Sequence, residues 1–192
     1  DQTICGATVV SLNANAVTGG TWTGGTGTFN PNRNTANAIY TPTASEIGTA
    51  VTLTWNIPDP DASGACLSSN DVMNITVSNP AIANAGSDLA VCGNGSVTLS
   101  ANTGTGGNWT GGNGIFNPGR TFANASYSPA LSEIGTTVSL TWNLPDPDGA
   151  GPCSATTDGM IITFSSPATA NAGADQSICG SVPVILTGNT VA

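Results

Sequence analysis

The sharpest chemical constellation in this chain is a set of aspartates. Asp59, Asp61 and Asp71 recur as Asp146, Asp148 and Asp158, and Asp88 stands four residues before Cys92. Calcium takes six to eight oxygens from carboxylates and carbonyls, so these side chains, gathered at one end of a unit, would bind it and stiffen a joint. The competing reading is turn formation: in Pro-Asp-Pro-Asp each aspartate caps its own backbone while proline fixes φ. The spacing matches no EF-hand loop, and both readings stay open.

Cysteine is the second candidate for chemistry. Cys5 and Cys66 stand 61 positions apart, as do Cys92 and Cys153, and Cys179 is left over. Neither a CxxC spacing nor a histidine accompanies them, which argues against a metal site. One disulfide per pair is expected, Cys5 with Cys66 and Cys92 with Cys153, which places the protein outside the cytosol. Closing such a loop is worth roughly 4 kcal/mol in the chain-entropy model.

Catalysis has little to work with. The chain has no His, no Lys and two Arg against eleven carboxylates. An ordinary general base near neutrality is missing, and so is any Ser-His or Cys-His pair. Turn aspartates spelled identically in each unit are a poor match to the single cleft of a glycosidase, so no enzyme is expected. Each lone base, Arg33 or Arg120, has Glu46 or Glu133 thirteen residues on, and a surface ion pair is expected.

The elements that must position these residues repeat. SEIGTAVTLTWNIPDPDASGAC at 45–66 returns as SEIGTTVSLTWNLPDPDGAGPC at 132–153, and about 50 of 87 aligned positions are identical. The division is two repeats, 1–87 and 88–174, plus 175–192 as the opening strands of a third. Either the chain is a window on a longer array, or the last segment pairs with something outside it. Cys179, Ile178, Val184 and Leu186 would then face that partner.

Val51, Leu53, Trp55 and Ile57 alternate with polar residues, as do Val138, Leu140, Trp142 and Leu144. That is the period of a strand with one buried face. Prolines and aspartates then end the strand. Strands are also expected through Leu89–Cys92, Val97–Ala101, Asn108–Thr110 and Met160–Phe164, with Gly111–Gly114 as a hairpin loop into Ile115 and Phe116, and one helical turn near Leu131. Trp55 and Trp142 are in phase with the core, and Trp22 and Trp109 are read the same way. Seven or so short strands with frequent turn signals and a disulfide describe tandem immunoglobulin-like β-sandwich domains of about 87 residues, all-β, with one intradomain disulfide each.

Composition narrows the partners. A net charge of −9 repels nucleic acid and anionic bilayers. No apolar run approaches the roughly 18 residues of a membrane span, and no basic, apolar leader opens the chain. Without lysine, Lys–Asn isopeptide locks are excluded.

The strings ANAGxDxxxCG, WTGGxGxFNPxR, AxYxP, SEIGTxVxLTWNxPDPD and DxMxIT resemble the tandem immunoglobulin-like or PKD-like repeats of very large surface proteins of Bacteroidota. Many of those are secreted by the type IX system. The resemblance spans the whole chain and implies an extracellular, cell-surface location and a role in adhesion or filament building. The expected function is the stalk of an adhesin, its partners being further repeats or identical neighbouring chains. Two rivals remain: a filament subunit joined by strand addition through 175–192, and a glycan-binding module using faces such as Thr21-Trp22-Thr23.

Overall fold

The computed structural model describes residues 1–188. The first copy holds β1 (Gln2–Cys5), β2 (Val10–Ser11), β3 (Thr21–Gly24), β4 (Thr28–Asn30), β5 (Ile39–Thr41), β6 (Ala50–Ile57) and β7 (Ser69–Ser78). They form one sheet in the order β1-β7-β6-β3 and a second in the order β2-β5-β4. The second copy holds β8 (Leu89–Cys92), β9 (Val97–Thr98), β10 (Asn108–Gly111), β11 (Ile115–Asn117), β12 (Ser126–Ser128), β13 (Thr137–Leu144) and β14 (Thr156–Ser165). Its sheets run β10-β13-β14-β8 and β11-β12-β9. The chain is nearly all-β, with sheets packed in a sandwich-like arrangement.

The alternation read from sequence becomes burial. Val51, Leu53 and Trp55 of β6 turn inward with Ile75 and Val77 of β7, while Val138, Leu140, Trp142 and Leu144 of β13 meet Met160, Ile162 and Phe164 of β14. In each copy two tryptophans pair across neighbouring strands, Trp22 opposite Trp55 and Trp109 opposite Trp142, with ring centroids 5.2 Å apart. All four are buried, as expected for core residues. Two hydrophobic clusters result, one drawn from Ile4 to Val77 and the other from Ala85 to Phe164.

The glycine-rich turn after the first tryptophan is not the hairpin the sequence suggests. β10 pairs with β13, whereas β11 pairs with β12, so Gly111–Gly114 carries the chain from one sheet to the other. Backbone crowding dictates glycine there. Gly111 has φ 84°, and a Cβ on it would strike the Ser139 carbonyl oxygen. A Cβ on Gly112 would meet the Tyr127 hydroxyl.

That crossing is tied down by a buried carboxylate. In the first copy Glu46 sits in a 3-10 turn, Ala44–Glu46, the helical turn expected near its counterpart Leu131. It accepts hydrogen bonds from the Thr26 amide at 2.7 Å, the Thr43 amide at 2.9 Å and the Tyr40 hydroxyl at 2.7 Å. Glu133 does the same with Asn113, Ala130 and Tyr127. The expected Arg33–Glu46 and Arg120–Glu133 ion pairs are therefore not the arrangement found. Arg33 lies over the Phe29 ring at 4.1 Å and donates to the carbonyl oxygens of Gly24 at 2.9 Å and Gly25 at 3.2 Å. Arg120 brackets Gly111 and Gly112 in the same way above Phe116. A planar guanidinium suits this use, since it stacks on a ring while its fork still donates in plane.

Residues 175–188 contain no strand, although they are spelled like the opening of the first copy. Ile178, Val184 and Leu186 are exposed. Residues 189–192, the end of the expected third-repeat segment, lie outside the described residues.

Candidate functional site

Of the residues expected to carry chemistry, Cys5, Cys153, Asp146, Asp148 and Asp158 lie at the joint between the two copies, and the others lie away from it. The disulfide at the joint links Cys5 to Cys153, across 148 residues of sequence. This overturns the expected pairings Cys5–Cys66 and Cys92–Cys153: Cys66, Cys92 and Cys179 are free and exposed. The reason is placement. β1 runs parallel to β7 with Cys5 opposite Ser78, so Cys5 stands where the chain leaves the first copy through Asn79 and Pro80. Cys66 lies beyond the other end of β7, three residues before its first residue, Ser69. The turn after β13 of the second copy instead brings Cys153 to the exit, its sulfur 3.5 Å from the Asn79 carbonyl oxygen.

The aspartates build that turn. Asp146 Oδ1 accepts the amides of Asp148 and Gly149, each at 3.1 Å, and Asp148 Oδ2 accepts the Cys153 amide at 3.3 Å. In the first copy Asp59 Oδ1 accepts the Asp61 amide at 3.1 Å, and Asp61 accepts those of Gly64 at 3.1 Å and Cys66 at 3.2 Å. The Cys66 amide, followed by the bond with Asp59, holds the Asp61 carboxyl below the usual aspartate range. The turn chemistry foreseen for these residues thus has a specific product, the presentation of a cysteine five residues after the second aspartate. Asp88 is engaged elsewhere, accepting the Ile161 amide at 2.8 Å.

No group of three acidic or cysteine side chains is placed to share a metal ion among the described residues. Asp59, Asp61, Asp146 and Asp148 stay within their own turns, and Asp71 and Asp158 lie on β7 and β14 opposite Trp55 and Trp142.

The other half of the joint is the strap between β7 and β8. Within residues 81–86, Ala81, Ala83 and Ala85 pack on the second cluster, ahead of the 87/88 division read from the repeat, and Ala85 is 0% exposed there. The Ala83 amide donates to Thr156 Oγ1 at 3.0 Å and the Ala85 amide to Asp158 Oδ2 at 2.8 Å. Asn84 and Asn102 exchange bonds, Asn84 N to Asn102 Oδ1 at 2.8 Å and Asn102 N to Asn84 O at 2.9 Å, and Asn102 Nδ2 reaches the Ile82 carbonyl at 2.6 Å. The strap positions that face the cluster are all alanine, while Ile82 between them is exposed. The signal was present in the identical ANAG at 83–86 and 170–173.

Two further pairs of groups are perturbed, one Tyr–Glu pair in each copy, and both pairs are structural. Burial, followed by the bond to Glu46, pushes the Tyr40 hydroxyl up to about 12. Burial alone would raise the Glu46 carboxyl, but the amides of Thr26 and Thr43 and the Tyr40 hydroxyl outweigh it and hold it down at about 2. Tyr127 is likewise pushed up to about 12, and Glu133 is lowered by Asn113, Tyr127 and Ala130 against its burial.

The site thus defines an all-β chain whose two sequence copies are joined by a strap and a long-range disulfide. Compared with known proteins, the chain matches no family model, and no curated protein shows significant similarity to it. No helix among the described residues is long and apolar enough to cross a membrane.

Proposed function

We propose that this chain is a load-bearing segment of an extracellular stalk or filament, built from tandem immunoglobulin-like sandwiches of about 87 residues. The observation that carries the reading is the Cys5–Cys153 bridge. A disulfide within one unit stabilises that unit, whereas a disulfide between units holds their orientation and diverts tension. Force entering at the first residues crosses from Cys5 to Cys153 and bypasses the 147 residues between them (153 − 5 − 1). An adhesin or filament under shear gains from that arrangement, and a structural disulfide suits an oxidising, extracellular setting. The buried tryptophans favour this reading over a glycan-binding face, since sugar stacking needs exposed rings.

The test is to label intact producing cells with an antibody against this chain, then measure the captured protein's mass after full reduction and denaturation. Surface label on a protein far heavier than 18.9 kDa is the expected result. Label confined to the cell interior would overturn the proposal. Surface label at about that mass would replace the stalk with a small filament subunit.

A further inference from the structure

The two copies differ at one face, and the difference has the shape of the joint just described. In the second copy that face is covered: the strap 81–86 lies on it, Asp158 holds the Ala85 amide and Cys153 is bridged. In the first copy the equivalent residues, Asn15, Trp22, Trp55, Asp71 and Met73 among them, line an open groove of about 450 Å³. Each has its counterpart 87 positions on, in Asn102, Trp109, Trp142, Asp158 and Met160. Cys66, presented by the same aspartate turn that presents Cys153, is exposed and free.

We infer that this groove and Cys66 together form the acceptor half of a joint, and that their occupant is another unit of this same kind, docking through its own Pro-Ala-x-Ala-Asn-Ala-Gly strap and its Cys5-type cysteine. The donor half is also present. Cys92 lies opposite Ser165 at the end of β8, as Cys5 lies opposite Ser78, and Pro167 follows as Pro80 does. The chain therefore carries one closed joint, with an open acceptor on one side and, on the other, a donor cysteine, Cys92, that is not bridged. In a series of units each bridge overlaps the next, because Cys92 lies between Cys5 and Cys153. The result is a disulfide ladder in which no unit can be drawn out without breaking a bridge.

Forming each rung removes two protons and two electrons from two thiols. A low-molecular-weight disulfide such as glutathione disulfide accepts them, becoming two glutathione thiols while one protein S–S bond forms.

The inference rests on the reading of the chain as like units in series, and its test is built to fail separately from the stalk reading. Residues 1–87 are placed once more ahead of residue 1 of the full chain, and the product is refolded with glutathione and glutathione disulfide. Non-reducing peptide mapping is expected to yield a cross-linked peptide joining the added unit's first cysteine to Cys66, loss of Cys66 alkylation, and retention of Cys5–Cys153. If Cys66 stays alkylatable while Cys5–Cys153 is retained, or if the added cysteine closes within its own unit, the ladder is overturned and the existing joint stands.

A second variant separates the groove from thiol chemistry. With Cys66→Ser in the extended chain, the strap amide facing Asp71 is expected to remain protected from hydrogen exchange, and adding Asp71→Ala is expected to abolish that protection. Strap amides that exchange freely in the Cys66→Ser chain would show that the groove is no seat. In every variant the Cys5–Cys153 peptide reports that the chain has folded.

Discussion

The two copies share about 50 of 87 residues, yet they are not equally finished. Leu53 and Leu140 are both 0% exposed, and the Glu–Tyr–Arg arrangement repeats bond for bond. At the face that the strap covers in the second copy they part. Met160 is buried whereas Met73 is half-buried, Leu144 is buried whereas Ile57 is half-buried, and Cys153 is 4% exposed whereas Cys66 is open to solvent. The interiors of the two copies are thus alike, whereas the strap completes the end face of the second copy alone. Near-identical residues acquire different burial because the covering strap reaches one groove and not the other.

Breaking the bridge tests the comparison hardest. Cys153→Ser leaves Cys5 unpaired, so the reactive thiols rise from three to four, as thiol titration in denaturant will show. In single-molecule pulling, the variant is expected to release about 500 Å of additional contour, from 148 residues at about 3.4 Å each. An unchanged contour length would mean that the bridge carries no load.

The shared interior is probed by Leu53→Ala and Leu140→Ala. Each removes a fully buried side chain and is expected to cost about 2–5 kcal/mol, read from the denaturation transition of its own copy. Similar values would confirm that the interiors are equivalent. A much smaller cost in one copy would show that its core relaxes.

Asp158→Ala and Asp71→Ala address the end face. The first leaves the amide of the fully buried Ala85 without its acceptor and is expected to destabilise the second copy by about 1–3 kcal/mol. The second touches no strap and is expected to stay within about 0.5 kcal/mol in the same denaturation experiment. Equal effects would erase the distinction between covered and open faces.

Acid supplies the gentlest test. Glu46 is depressed in the folded state, so its contribution is complete above the ordinary value of 4.5 and fades as pH falls toward about 2. Glu133 is depressed in the same direction. Both copies are therefore expected to lose stability over one acidic window, followed by thermal melting at successive pH values, and Glu46→Gln should flatten the first copy's share.

Much of this architecture is legible in the residues themselves. Alternation around Trp55 and Trp142 locates the central strands, because side-chain direction along a strand is a local property with period two. The Pro-Asp-Pro-Asp turns, the helical turn before β13 and the tryptophan cores follow from similarly short-range rules. Gly111–Gly114 misleads for the same reason. A tight glycine turn is compatible with a hairpin or with a crossing between sheets, and only the partner strands, β13 and β12, decide between them.

The residues alone determined the period of 87, the half-buried strands, the absence of lysine and histidine, and two cysteines per period, since all of these are properties of composition and local spacing. Tertiary structure decided which cysteines meet and which core the strap joins. A repeat makes Cys66 and Cys153 equivalent as text, so no spacing rule distinguishes them as partners for Cys5. Proximity distinguishes them: parallel pairing of β1 with β7 carries Cys5 to the exit from the first copy, where the turn of the next copy is waiting.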